Sequence, residues 1–276
     1  MSPSDDSGAV WASAAAHWRR WEPVVETVGW PLALRMAAVA RIGEATRVLD
    51  VGCGIGDPTL QVAVLTGPHG RVLGIDVDEE PLVTARARAE ALGLGNVDFV
   101  AADVRTVRLE PNSFDVVLGR WSLSVLPDAV DVMRRLRDVL APGGRIAVAG
   151  WGPPDANPWI TIPASVLAEV TGNARIPVET SDGFRLSADG ELARALVAAG
   201  FQAVGQERVM LSYHVDDVNE FWDLLTAVGP LGQEAAALDV ATRTAVTDEL
   251  GRRLARHRSS GVLRVPAQAQ LAWGRA

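Results

Sequence analysis

The sequence predicts an α/β fold: a mostly parallel sheet with helices on both faces. Three observations carry that expectation. Short apolar runs alternate with helix-period segments between residues 46 and 150, the pattern of strands joined by crossover helices. A glycine loop, VLDVGCGIGDPT at 48–59, follows the first apolar run and opens a helix. Aspartates sit at the ends of the first three runs: Asp50, Asp76 and, just past the third, Asp103. In an open parallel sheet such residues share the edge where ligands bind.

The elements follow in order. Val10, Trp11, Ala14, Trp18, Trp21 and Val25 recur at spacings of three and four, so a helix is expected over 9–29, broken at Pro23, and a second over 31–42. Then come strand 46–51, helix 57–66, strand 71–76, helix 79–93, strands 97–101 and 114–119, helix 128–140 and strand 144–150. After Trp151 the run GPPDANPW interrupts regular structure, and 151–187 reads as an insertion that forms a lid. Helix 188–199 and strand 201–211 resume the alternation, 216–260 is mainly helical, and 263–274 is the last strand. The implied division is a helical cap (1–44), a core (45–150), the lid (151–187), and the rest of the core with a helical insertion at 216–260 (188–276).

Composition narrows the function. A chain of 276 residues with 48% apolar content supports one large domain. No apolar run reaches the roughly 18 residues of a membrane helix, and the start MSPSDDSG lacks a signal-peptide pattern, so a cytoplasmic protein is expected. The single cysteine, Cys53, rules out an internal disulfide and a cysteine-based zinc site. A formal charge of −8 argues against nucleic acid as a partner. All 26 basic residues are arginine, which excludes a Schiff-base or P-loop lysine.

The loop points to a nucleoside. Gly52, Gly54 and Gly56 let a ligand approach main chain, and Asp76 ends the second strand, where a carboxylate can take both ribose hydroxyls. A nicotinamide dinucleotide is the natural competitor, and an NAD(P)-dependent oxidoreductase the alternative it implies. That fingerprint needs a third small residue where this chain has Asp57, whose charge opposes a pyrophosphate. The loop suits a ligand without phosphates.

Five segments in succession, VLDVGCGIG, GIDVDEE, AADV, FDVVLGRWSLSVLPD and LAPGGRIAV, resemble the class I S-adenosylmethionine-dependent methyltransferases over nearly the whole chain. The resemblance implies a Rossmann-like sheet of seven strands with an antiparallel last strand, and S-adenosylmethionine as cofactor. It places Asp50, Gly52 and Gly54 against the methionine and ribose portions, Asp76 with Val77 at the ribose, Asp103 with Val104 around the adenine, and Gly119 with Arg120 beneath the amino acid end. Methyltransferases of DNA bases or glutamine resemble one another in an Asn/Asp-Pro-Pro-Tyr run after the fourth strand, where this chain has Gly119-Arg120-Trp121-Ser122. The arrangement is closer to the quinone and natural-product branch.

The acceptor is therefore expected to be a small, apolar or aromatic molecule, methylated at oxygen, nitrogen or carbon. Trp18, Trp121, Trp151 and Trp159 are the candidate walls of its site. Methyl transfer rests mainly on alignment, and where a proton must leave, His17 and His214 are the candidate bases, ahead of Asp155 and Glu22. His69 falls at the opposite edge of the sheet and His257 on a solvated helix face. Arg120 fits a carboxylate of cofactor or substrate, or an ion pair with a neighbouring aspartate. A catalytically silent subunit that binds S-adenosylmethionine is the non-enzyme alternative, and a homo-oligomer stays open. The first helix and the lid together are expected to cover the site.

Overall fold

A computed structural model describes residues 7–173, 178, 181–228 and 231–276, with the side chains of 7–19 and of Val228 outside the description. Its parallel strands are β1 (Arg47–Val51), β2 (Arg71–Asp76), β3 (Val97–Ala101), β4 (Phe114–Arg120), β5 (Leu140–Trp151) and β6 (Gln202–Val215), to which are added β7 (Arg258–Ser259) and β8 (Val262–Arg275). They form one sheet in the order β3-β2-β1-β4-β5-β8-β6, with β7 paired to β8. β8 runs antiparallel to both β5 and β6. Strand order reverses between β1 and β4, and the crevice at that switch lies beyond Val51 and Arg120, where a ligand is expected in such sheets.

Side-chain alternation builds two cores. Val48, Val116, Leu118, Ala147 and Ala149 face one side, while Leu49, Val51, Val117, Ile146 and Val148 face the other. The first side receives α1 (Ser7–Ala40), α2 (Thr59–Thr66), α5 (Pro158–Thr171), α7 (Val218–Val228) and α9 (Val240–Leu254). The second receives α4 (Ala129–Val139) and α6 (Glu191–Ala198). Helix α4 shows why: Ala129, Val132, Met133, Leu136 and Val139 make one apolar stripe, and all are buried. Between them in sequence, α3 (Glu79–Ala91) is capped by Asp78, whose side chain accepts from Glu80 N, and buries Leu82, Ala85 and Ala89 beside Phe99 of β3.

One expectation changes. The N-terminal segment is one helix of 34 residues, not two, with Pro23 and Pro31 inside it. Packing overrides the proline penalty: Trp21, Val28, Leu32, Met36 and Ala40 bury one stripe against the sheet, and Arg35 reaches Glu207 of β6. The stretch 151–187, expected as an insertion, contains α5, which packs on α9 and β8. The remaining helix, α8 (Gly232–Ala236), lies between α7 and α9 in the 216–260 segment, which ends in the short strand β7. None of the helices among the described residues is long and apolar enough to cross a membrane.

Candidate active site

The glycine loop turns where the residues require it. Gly52, Gly54 and Gly56 have φ of 70°, 52° and 102°, a region that residues with a Cβ rarely adopt. A Cβ on Gly52 would stand 2.3 Å from Ser122 Cβ, so the segment after β4 packs directly on the loop; Ser122 Oγ donates to Val51 O at 2.5 Å. Nothing lies within 4 Å of a Cβ built on Gly54, so that face of the loop is open. Gly119 makes room for Leu123 and Ser122 in the same way.

Asp50 is buried at the end of β1. Thr59 Oγ1 donates to its Oδ2 at 2.6 Å, while Oδ1 is buried with no partner among the described residues. Burial, only partly offset by Thr59 and by the charge of Arg120, pushes its carboxyl up to about 7. Asp76 accepts from Gly54 N at 2.8 Å and from Asp78 N at 3.2 Å, one bond to each oxygen, and burial raises its carboxyl too. Asp103 lies past β3 and is held by Arg105, whose Nε donates to both oxygens at 3.0 Å and which keeps the carboxyl below its ordinary range. Val77 is 68% exposed, and Val104 packs on the second core.

Arg120 ends β4 on the same face of the sheet as Asp50. Its Nη2 donates to Asp57 O at 2.8 Å, and its guanidinium carbon lies 5.0 Å from the Trp121 ring centroid. It also presses on α1, where only glycine fits: a Cβ on Gly29 would meet Arg120 Nη1 at 2.1 Å. Burial lowers the Arg120 pKa, against the opposing pull of Asp57, Asp50 and Glu26.

Beyond Arg120 the aromatic residues form a continuous line. Trp121 stacks on Trp151 at 4.6 Å, Trp151 meets Trp159 at 4.8 Å, Trp159 meets Tyr213 at 5.3 Å, and Tyr213 reaches Phe221 at 6.1 Å. Three of the four expected tryptophans are thus joined. Burial raises the Tyr213 hydroxyl pKa, so it stays protonated at neutral pH. Trp159 Nε1 donates to Asn157 Oδ1 at 3.0 Å, and Asn157 Oδ1 also accepts from Gln268 N at 2.9 Å. Asn157 thereby straps the proline-rich segment to β8.

His214 is not brought to this group. It is exposed on β6, opposite in parity to buried Leu211, Tyr213 and Val215, and pairs with Arg264 on the ribbon that runs past Trp151. Its side chain therefore leaves the sheet on the far face from Arg120. His17, Trp11 and Trp18 lie outside the described side chains. Asp155 and His69 are exposed, and His257 is beside Arg256.

Sequence reading missed a charged latch. Arg88 of α3 bonds Glu22 of α1 at 2.8 Å, Asp57 of the loop at 3.2 Å and the carbonyl of Ile55 at 3.0 Å. Glu26, one helical turn on from Glu22, lies 3.8 Å from the same guanidinium and 3.4 Å from Gln61. The available signal was the pair Glu22 and Glu26 at i, i+4, the two acidic residues of that helix. Asp57, expected to repel a pyrophosphate, is engaged by Arg88 and by Gln61 at 2.5 Å. Among the described residues no cluster could hold a metal ion.

Residues 42–172 match a family model described as a methyltransferase domain. The aklanonic acid methyltransferase DauC of a Streptomyces species is 38% identical over 117 residues, which cover 42% of this chain and 53% of that protein. A demethylmenaquinone methyltransferase of Listeria welshimeri is 34% identical over 119 residues, covering 43% and 50%. The chain spans about half the length of these curated relatives. Among solved structures, the YcgJ protein from Bacillus subtilis aligns with a TM-score of 0.58 at 18% identity, covering 88% of this chain and 97% of that one. The [4+2]-cyclase SpnF aligns at 0.55 and 23% identity, covering 88% and 80%. These likenesses show the fold, and the reaction has to be argued from the site.

Proposed function

Residues 42–172 belong to the class I S-adenosylmethionine-dependent methyltransferases, and from that premise we propose that the protein methylates a small, rather apolar aromatic acceptor. The observation that carries the reading is that Arg120 adjoins both halves of one site, the glycine loop through Asp57 O and the aromatic line through the Trp121 ring.

The residues present fit the cofactor. Asp76 has made one backbone bond per oxygen and keeps lone pairs for the two ribose hydroxyls. The open face at Gly54 admits the ligand to main chain. The orphaned Asp50 Oδ1 suits the α-ammonium, and the guanidinium of Arg120 has N–H groups to spare for the α-carboxylate. Asp103 and Val104 take the adenine edge, with Val77 beside the ribose and Gly119 below the amino acid end. Asp50 and Asp76 suit a cation better than a pyrophosphate, and a bound cation favours the charged form of Asp50; Asp57 adds little, because Arg88 pairs with it. An NAD(P) oxidoreductase is accordingly not favoured.

When bound, S-adenosylmethionine supplies a methyl group already activated on a sulfonium. The chain's own part is alignment and exclusion of water. Helix α1 covers the loop through Glu22, Glu26 and Gly29, and Trp121 and Trp151, both partly exposed, give a planar acceptor an aromatic wall to pack against. The relatives named for aklanonic acid and demethylmenaquinone act, by those names, on small molecules, in keeping with this site.

The test is transfer of label from methyl-tritiated S-adenosylmethionine to 1-naphthol, 1,4-naphthoquinol or 1-naphthylamine. Label in the extracted aromatic product supports the reading, and Trp151→Ala should then lower kcat/KM about tenfold. Label entering only DNA or protein would contradict it.

A further inference from the structure

Two indoles on the aromatic line differ in one respect. Trp159 is buried and its Nε1–H is satisfied by Asn157 Oδ1 at 3.0 Å. Trp121, at the end of β4, has an Nε1–H shut off from solvent with no acceptor among the described residues. Buried indole N–H groups almost always have a partner. A donor left open in this way is a rare feature, and one at a ligand site asks what completes it.

The backbone at Trp121 is also unusual. Its φ is 54°, a conformation that a bulky residue seldom takes and that clusters at functional sites. It is held there by Trp121 N donating to Ala149 O at 2.8 Å, by the stack on Trp151 and by the Arg120 guanidinium over the ring. The surrounding contacts determine the placement of the indole, and its N–H is left unpaired all the same. Indole nitrogen donates only, so its partner must accept, and a protonated amine cannot. The line leads from Trp121 toward β5, α5 and β6, away from the loop and from Asp76, and Trp121 stands at its end beside Arg120, between the loop and the rest of the line.

We infer that Trp121 Nε1–H donates to an oxygen of the bound acceptor, a carbonyl or phenolic oxygen on its aromatic ring system, and that Trp121 thereby selects oxygenated over plain aromatic acceptors. This rests on the methyltransferase reading above and adds the acceptor's chemical class to it. Trp151 and Arg120 hold the indole by its ring, and its edge identifies the oxygen.

The experiment titrates the full chain, saturated with S-adenosylhomocysteine, with 1-naphthol and with naphthalene, for wild type and Trp121→Phe. Phenylalanine keeps a ring face and removes the donor. Wild type should bind 1-naphthol about tenfold more tightly than naphthalene, and the variant should lose that preference. In parallel, nitrogen-15 spectra of the wild-type indoles should show one N–H peak moving downfield with 1-naphthol and still with naphthalene; this reading decides alone if the variant fails to fold. Equal binding of the two probes by wild type, a preference kept in the variant, or an indole peak that moves fully with S-adenosylhomocysteine alone each overturns the inference. If neither probe binds while S-adenosylhomocysteine does, the aromatic-acceptor reading itself has failed and this inference falls with it.

Discussion

Asp50 shows what the site costs and how that cost becomes measurable. It is 1% exposed, its carboxyl is pushed up to about 7, and Thr59, Arg120, Asp57 and Asp76 are the polar groups that act on it. Because the folded value lies above the unfolded one, the folded state holds the proton more tightly between about pH 4 and pH 7. Stability from this group is therefore present at low pH and lost as pH rises through that window, by on the order of 4 kcal/mol. Asp50→Asn should flatten the fall, as read by chemical denaturation at pH 5 and pH 7.5, while weakening S-adenosylhomocysteine binding. An unchanged pH profile in the variant would show that Asp50 is not the group responsible. Asp50, Asp76 and Gly54 were legible in the sequence because a strand end and a glycine turn place them with no further information. His214 was not, since its face depends on parity, and β6 runs to Val215, past the expected end at 211. The unpaired edge of Trp121 was equally hidden, because a missing partner is visible only once the neighbours are in place.

At the scale of elements, α1 departs furthest from expectation, and for a physical reason. Local signals such as proline report what a segment prefers alone, whereas long-range contacts decide what it does. Helix α1 continues through Pro23 and Pro31 because its stripe is buried and Arg88 ties Glu22 to the loop. Arg88→Leu leaves Asp57, 9% exposed, without its cation, and should destabilise the fold by about 2 kcal/mol. It should also weaken S-adenosylhomocysteine binding several-fold, with Arg88→Lys in between, measured by thermal melting and titration. The proline-rich segment is pinned by Asn157, fully buried, which bonds Gly152 O, Pro153 O, Gln268 N and Trp159 Nε1. Asn157→Ala should cost about 3 kcal/mol in denaturant unfolding, and a loss under 1 kcal/mol would mean that those bonds are replaced by water. The central strands β1, β4 and β5, by contrast, were legible, because apolar runs buried on both faces leave few alternatives.

For the whole molecule, sheet order joins segments remote in sequence into one site. The reversal between β1 and β4 brings Asp50 beside Arg120, and β6, added beyond β8, carries Tyr213 to Trp159 of α5 on the same face. The alternation of elements foretold the parallel half of the sheet; the antiparallel closure followed from the family resemblance, because no local pattern marks a strand's direction. The central claim is that this edge holds an S-adenosyl nucleoside and not a dinucleotide. The measurement that tests it most directly is calorimetric titration of wild type and Asp76→Ala with S-adenosylhomocysteine and with NADH. The account predicts S-adenosylhomocysteine binding by wild type, weakened by about a hundredfold or more in Asp76→Ala, and no binding of NADH by either. Binding of NADH by wild type, or S-adenosylhomocysteine affinity untouched by loss of the Asp76 carboxylate, would contradict it.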